Sequence, residues 1–203
     1  MDLYRHDQSY REQGFRVIAG IDEAGRGPVA GPVVAAAVVL YGDCRIHGLR
    51  DSKKVPEKER GELFMEVLSR AAHIGVGIVG HEEIDRINIL QATKTAMRKA
   101  LDDLDALPDM LIIDAVALPS LNIRQISPFR AESMSASVAA ASIVAKYTRD
   151  AIMIRYHDRY PQYNFRKHKG YCTEEHLDLI RRHGPSPIHR KSFRKVMSLT
   201  LPL

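Results

Sequence analysis

Four acids stand where apolar stretches begin or end: Asp22 and Glu23 after residues 17–21, Asp114 after Met110–Ile113, and Glu132 ahead of a long alanine-rich run. Carboxylates in such places, with no Cys/His ligand pattern beside them, suit hard divalent cations, Mg²⁺ or Mn²⁺, and the chemistry of phosphate esters. Spacing alone does not bring them together. The competing reading is four unrelated caps and loop acids.

A second constellation comes directly after the first pair. Gly25, Arg26, Gly27 and Pro28, with Gly31 and Pro32, make a turn that could press backbone amides and a guanidinium against a nucleic-acid backbone, or be only a tight hairpin. The spacing departs from the dinucleotide fingerprint. The turn leads into the β-branched run Val33–Leu40 rather than a helix, and no Lys-Ser/Thr pair is present, which argues against a nucleotide-cofactor loop. Asp51-Ser52-Lys53-Lys54 lacks the Ser-x-x-Lys spacing of a serine nucleophile and reads as phosphate contact or plain solvation. Tyr171 sits in the basic loop 166–171, where an aromatic among cations could stack on a sugar or base, or simply pack. Lys146 stands four residues before Asp150, the spacing of an i,i+4 ion pair. His168, His183 and His189 lie among basic residues and read as solvated rather than as acid–base catalysts.

Periodicity and punctuation define the elements that must position these groups. Residues 1–15 suggest a short helix or arm. Residues 17–40 read as strand, loop and strand, and residues 74–79 as a third strand closing an antiparallel meander. A helix starts at Pro56, and another spans 89–104 with Leu90, Met97 and Leu101 on one face. Met110–Ile113 is a buried strand that delivers Asp114, as open α/β sheets place chemistry at carboxyl ends. A further short strand is possible at 123–126. The central helix spans 133–160, with Ser133 as its cap and Ala139, Ala140 and Ala141 allowing close approach. Thr173 caps a later helix that Gly184-Pro185 ends.

The chain of 203 residues is long enough for one well-buried core, here expected as a single unit with a catalytic part to about residue 160 and a basic helical segment at 161–203. The longest apolar run, Val33–Leu40, falls far short of the roughly 20 residues of a membrane span. The first residues lack an apolar signal core, and Cys44 and Cys172 form neither a zinc nor a disulfide pattern, so a cytoplasmic setting is expected. The net charge of +5 is unevenly spread: −2 over residues 1–154 and +7 over 155–203. Such a basic segment suits a polyanion, nucleic acid first.

The segments IDEAGRGPVAGPV at 21–33, DSKK at 51–54, SASVAAASIVAKYTRD at 135–150, HKGYCTEEH at 168–176 and HGPSPIHRKSF at 183–193 together resemble the ribonuclease HII family over nearly the whole chain. The resemblance implies a ribonuclease H-like mixed β-sheet flanked by helices with a C-terminal helical basic extension. It implies a catalytic, metal-binding set of Asp22, Glu23, Asp114 and Glu132 using Mn²⁺ or Mg²⁺ in a two-metal mechanism, with Asp22 shared between the ions. Gly25, Arg26, Gly27 and Tyr171 would sense the ribose 2′-hydroxyl, and Lys53 and Lys146 would hold phosphates. The implied substrates are RNA–DNA hybrids and duplex DNA with embedded ribonucleotides, cut to 5′-phosphate and 3′-hydroxyl ends by a monomer. A non-catalytic hybrid-binding protein would have little reason to hold four acids near a polyanion. Where many members carry Asp in a Lys-Gly-Asp segment, this chain has Arg130-Ala131-Glu132, a carboxylate one methylene longer.

Overall fold

The computed structural model describes residues 2–200. Val33–Leu40 is buried along its whole length, which places it inside a sheet rather than at an edge. It forms β2, paired antiparallel with β1 (Ile18–Ala24) on one side and β3 (Ala71–Val79) on the other, the meander expected from sequence. β1 then pairs in parallel with β4 (Met110–Ile113), and β4 with the short β5 (Arg124–Ile126), giving a five-stranded mixed sheet in the order β3-β2-β1-β4-β5.

Helices cover both faces. α4 (Ile89–Asp102) buries Ala92, Ala96, Met97 and Ala100 against one face, together with α3 (His81–Ile87). Leu90, expected on one face with Met97 and Leu101, is instead 43 % exposed, in the first turn of the helix that Asn88 caps. The other face carries the central helix α5 (Ala136–Arg159), flanked by α1 (Leu3–Glu12) and α2 (Glu57–Arg70). The expected start of α5 at Ser133 is corrected. Ser135 is the cap, its side chain accepting from the Val138 amide, and residues 131–133 form a separate 3₁₀ turn that carries Glu132. The small residues of α5 let it lie almost on the backbone of β1. A Cβ added at Gly20 would stand 2.1 Å from the Ser137 carbonyl carbon.

The C-terminal segment is sewn onto the loop between β1 and β2. It comprises the turn 161–163, α6 (Phe165–His168), α7 (Glu174–His183) and α8 (Arg194–Thr200). Val29 donates its amide to Gly170, Gly31 to Ile188, and Arg190 to Val29. Part of the expected basic loop 166–171 is thus helical. Its Lys169 is buried, with its ammonium on Glu57, so it does not belong to an exposed basic surface. No helix among the described residues is long and apolar enough to cross a membrane.

Gly20→Ala should destabilise the protein by about 1–3 kcal/mol, the usual cost of overpacking, because the obstructing atoms are helix backbone. Denaturant unfolding checks this, and an unchanged midpoint would show that α5 can retreat freely.

Candidate active site

Parallel pairing of β1 with β4 decides the geometry. Ile21 lies opposite Ile113, and the Asp114 amide donates to the Ile21 carbonyl at 3.0 Å, so Asp22 and Asp114 leave adjacent strand ends together. Asp22 is 4 % exposed and its Oδ1 accepts the Glu23 amide at 2.7 Å. Asp114 Oδ1 accepts the Ala131 amide at 2.9 Å, which pulls the 3₁₀ turn and Glu132, 3 % exposed, to the same edge. The backbone is held in the left-handed region at Ala115 (φ 54°) and Arg130 (φ 60°), immediately after Asp114 and two residues before Glu132. Strain of this kind costs on the order of 1–3 kcal/mol per residue and collects where side chains must be aimed.

The four acids repel one another. Burial, then Glu23 and Asp114, hold the Asp22 carboxyl well above the usual carboxylate range. Burial also raises Glu23 against the pull of Arg26, and burial with the nearby Asp114 raises Glu132. Two cations reach the outer pair: Arg26 touches Glu23 at 3.2 Å, and Lys53 touches Glu132 at 3.5 Å. Burial alone would lower Lys53, yet Glu132, Asp22, Asp51 and Asp114 together raise it. Among the described residues no three metal-ligating side chains are drawn together tightly enough to enclose a cation as they stand. The donor set nevertheless fits one. Glu23 Oε2 and Glu132 Oε2 are buried oxygens with no hydrogen-bond partner, and orphaned carboxylate oxygens at the edge of one cleft are what a hard cation satisfies.

Two adjoining cavities collect the ten residues that the resemblance implies for the site. One of about 550 Å³ is lined by Glu23, Arg26, Lys53, Asp114 and Glu132. The other, about 180 Å³, is lined by Asp22, Glu23, Gly25, Arg26, Gly27, Lys53, Lys146 and Tyr171. Lys146 reaches this wall but directs its ammonium to Asp150 at 2.7 Å, the alternative raised by the spacing, and stands 5.5 Å from the Tyr171 ring centre. The Asp51 segment is a capped turn with Asp51 and Ser52 buried, rather than a solvated charge run.

Sequence reasoning missed what lies beneath the glycine turn. Arg149 and Arg190 are fully buried. Arg190 donates to the carbonyls of Gly25 (2.7 Å), Arg26 (3.2 Å) and Gly31 (2.9 Å), and Arg149 to those of Ala30 (3.1 Å), Pro32 (3.0 Å) and Lys169 (3.1 Å). Gly25 (φ 101°) is required there, since a Cβ would stand 2.2 Å from Arg149 Nε. Burial and the neighbouring Arg149 push Arg190 down to about 9. The histidines also need correction. His168 and His189 are buried, not solvated; His168 stacks on His176, and His176 forms a hydrogen-bonded chain with His189. Ser186 donates its amide to His189 Nδ1, so His189 Nε2 donates to His176 Nε2 (2.9 Å), and His176 Nδ1 donates to the Tyr171 carbonyl (2.9 Å). Burial lowers His176 to about 4 and His189 to about 3, so both stay uncharged at neutral pH. The signal available in sequence was that Arg149, His176, His189 and Arg190 fall inside the motifs YTRD, CTEEH and PIHRKSF.

A mixed sheet with acids at the ends of its parallel strands, backed by a long helix, is the architecture of ribonuclease H-like nucleases. It superposes on the crystal structure of ribonuclease H2 from Pyrococcus horikoshii OT3 with a TM-score of 0.77 and 25 % identity, covering 91 % of this chain and 97 % of that one. The family model for ribonuclease HII matches residues 19–196. Ribonuclease HII of Bacillus licheniformis is 51 % identical over 190 residues, 94 % of this chain and 74 % of that protein. The enzyme of Acetivibrio thermocellus is 49 % identical over 195 residues, 96 % and 76 % respectively. The chain belongs to the ribonuclease HII family and is an endoribonuclease acting on the RNA of RNA–DNA hybrids.

Because the folded protein raises the Asp22 carboxyl, ionised Asp22 destabilises the fold increasingly as pH rises through its folded value, and the penalty vanishes below its unfolded value. In chelator, Asp22→Asn should therefore melt higher than the parent at neutral pH, and the gap should close on acidification. A variant that melts lower at neutral pH would show that the carboxylates are not in conflict.

Proposed function

We propose that this enzyme cuts on the 5′ side of ribonucleotides embedded in duplex DNA as well as within hybrids, leaving 5′-phosphate and 3′-hydroxyl ends, with Mn²⁺ or Mg²⁺ held by Asp22, Glu23, Asp114 and Glu132. The observation that carries this reading is the pair of orphaned oxygens, Glu23 Oε2 and Glu132 Oε2, on a cleft that Asp22 and Asp114 complete. Divalent cations supply nucleophile activation and charge neutralisation in phosphodiester hydrolysis. The protein supplies the rest. Buried Asp22, on which Glu23, Asp114 and Glu132 all act, is the ligand best placed to be shared, and Glu132 joins it from the 3₁₀ turn.

Recognition of the ribose falls to the turn at Gly25, Arg26 and Gly27 facing Tyr171 across the smaller cavity. The carbonyls of Gly25 and Arg26 are drawn inward to Arg190. Nothing in the described chain approaches the position a Cβ would take at Gly27, and its φ is not positive, so its bare backbone serves something outside the chain. A 2′-hydroxyl, donor and acceptor at once, is the group that needs such close approach and that separates RNA from DNA. Lys53 and, once freed from Asp150, Lys146 hold flanking phosphates, so binding weakens with salt. The enzyme works as a monomer in the cytoplasm, a setting consistent with two free cysteines.

With Mn²⁺ or Mg²⁺, the protein should nick a duplex carrying one ribonucleotide at its 5′ side and leave the all-DNA duplex whole. Asp114→Asn should lower the rate on the order of a thousandfold, about 4 kcal/mol of transition-state stabilisation, while retaining duplex binding. An intact ribonucleotide-containing duplex, or an Asp114→Asn enzyme of parental rate, would refute the reading.

A further inference from the structure

A third cavity continues the cleft on the side away from Tyr171. It measures about 410 Å³ and shares Arg26, Ala115 and Phe129 with the carboxylate cavity, while Arg26 alone borders all three. The cavities therefore run in sequence: the Tyr171 end, the four acids, then this groove.

Its lining has a different chemistry from the cavity beside it. No Asp or Glu lines it; Arg26 and Lys94 do, with Leu90, Pro119 and the ring of Phe129. Lys94 forms no ion pair among the described residues. Phe129 is 80 % exposed and Leu90 of the same groove 43 %, so the lining offers an apolar patch rather than a single stray ring. Phe129 is not on a loose loop either. The preceding residue, Pro128, accepts the Ala115 amide at 3.2 Å, and the following Arg130 is fixed at φ 60° by the turn that bears Glu132. The ring is thus presented from the same backbone that aims two of the acids. A rigid aromatic beside an unpaired ammonium matches a nucleotide, whose sugar and base offer apolar faces next to a phosphate.

We infer that the Phe129–Lys94 groove is a nucleotide subsite: it takes the substrate residue flanking the cleavage point on the side away from Tyr171, with Phe129 packed on its sugar or base and Lys94 at its phosphate. Charge complementarity identifies the occupant, because the substrate is a polyanion and the groove carries cations without carboxylates. The inference rests on the proposed placement of the scissile phosphate at the four acids and adds a determinant of affinity beyond them.

The test measures binding by fluorescence anisotropy in chelator at fixed salt, using a long duplex with one central ribonucleotide and two duplexes that end at the cleavage point on either flank. Phe129→Ala should raise the Kd for the long duplex about tenfold, and Phe129→Tyr should restore it. Lys94→Ala should weaken binding and lower the salt slope by about one. One of the two shortened duplexes should bind the parent about tenfold more weakly, and Phe129→Ala should add nothing on that duplex alone. Equal losses on all three duplexes, no loss on the long one, or an unchanged salt slope for Lys94→Ala would overturn the subsite. A parent that binds in this pattern but fails to nick with Mn²⁺ would instead sink the proposed cleavage reading and leave the groove standing.

Discussion

Like charges buried side by side are the constraint around which this molecule is built. The parallel register of β1 and β4 forces Asp22 and Asp114 out of neighbouring strand ends, and the Asp114–Ala131 hydrogen bond brings Glu132 to join them. Burial first, and then neighbouring carboxylates, raise the cost of ionising Asp22, Glu23 and Glu132. The direct ion pairs of Arg26 and Lys53 go to the outer two, Glu23 and Glu132. Such an arrangement is a poor way to stabilise a fold and a good way to attract divalent cations, which explains why strained backbone at Ala115 and Arg130 is tolerated beside it.

The same logic runs in the opposite sense beneath the glycine turn. Arg149 and Arg190 bury two positive charges whose hydrogen bonds go to backbone carbonyls rather than carboxylates. Drawing the carbonyls of residues 25, 26, 30, 31 and 32 inward fixes the turn from below. The chain of His189, His176 and the Tyr171 carbonyl fixes the facing wall, with uncharged imidazoles that do not add to the positive charge nearby. The C-terminal segment therefore contributes less as a basic surface than as the scaffold beneath the glycine turn. Its Lys169 and Arg190 point inward, and Arg166, Lys167 and Arg181 meet local acids.

Much of this was legible in the chain because short-range rules dominate in its strands and helix ends. Eight consecutive apolar residues after a Gly-Pro turn, half of them β-branched, read as a strand, and the strand end at Asp114 was set by Met110–Ile113. Thr173 and Gly184 bounded α7 as their chemistry dictates. The errors arose where tertiary contacts decide. Ser133 and Ser135 are both competent caps, and the Asp114 contact with Ala131, seventeen residues away in sequence, selects the second by making the first part of a 3₁₀ turn. Histidines among Lys and Arg look solvated until the fold buries them, and an arginine paired only with carbonyls leaves no complementary acid in the sequence to betray it.

The central claim is that the four carboxylates act as one cation site, in which burial and neighbouring carboxylates raise Asp22, Glu23 and Glu132. Calorimetric titration with Mn²⁺ in mildly acidic solution, repeated in two buffers of different ionisation enthalpy, reads both binding and the protons it displaces. A shared site predicts Mn²⁺ uptake with net proton release, both lost together in Asp114→Asn. Binding without proton release, or binding and release that survive Asp114→Asn unchanged, would contradict it.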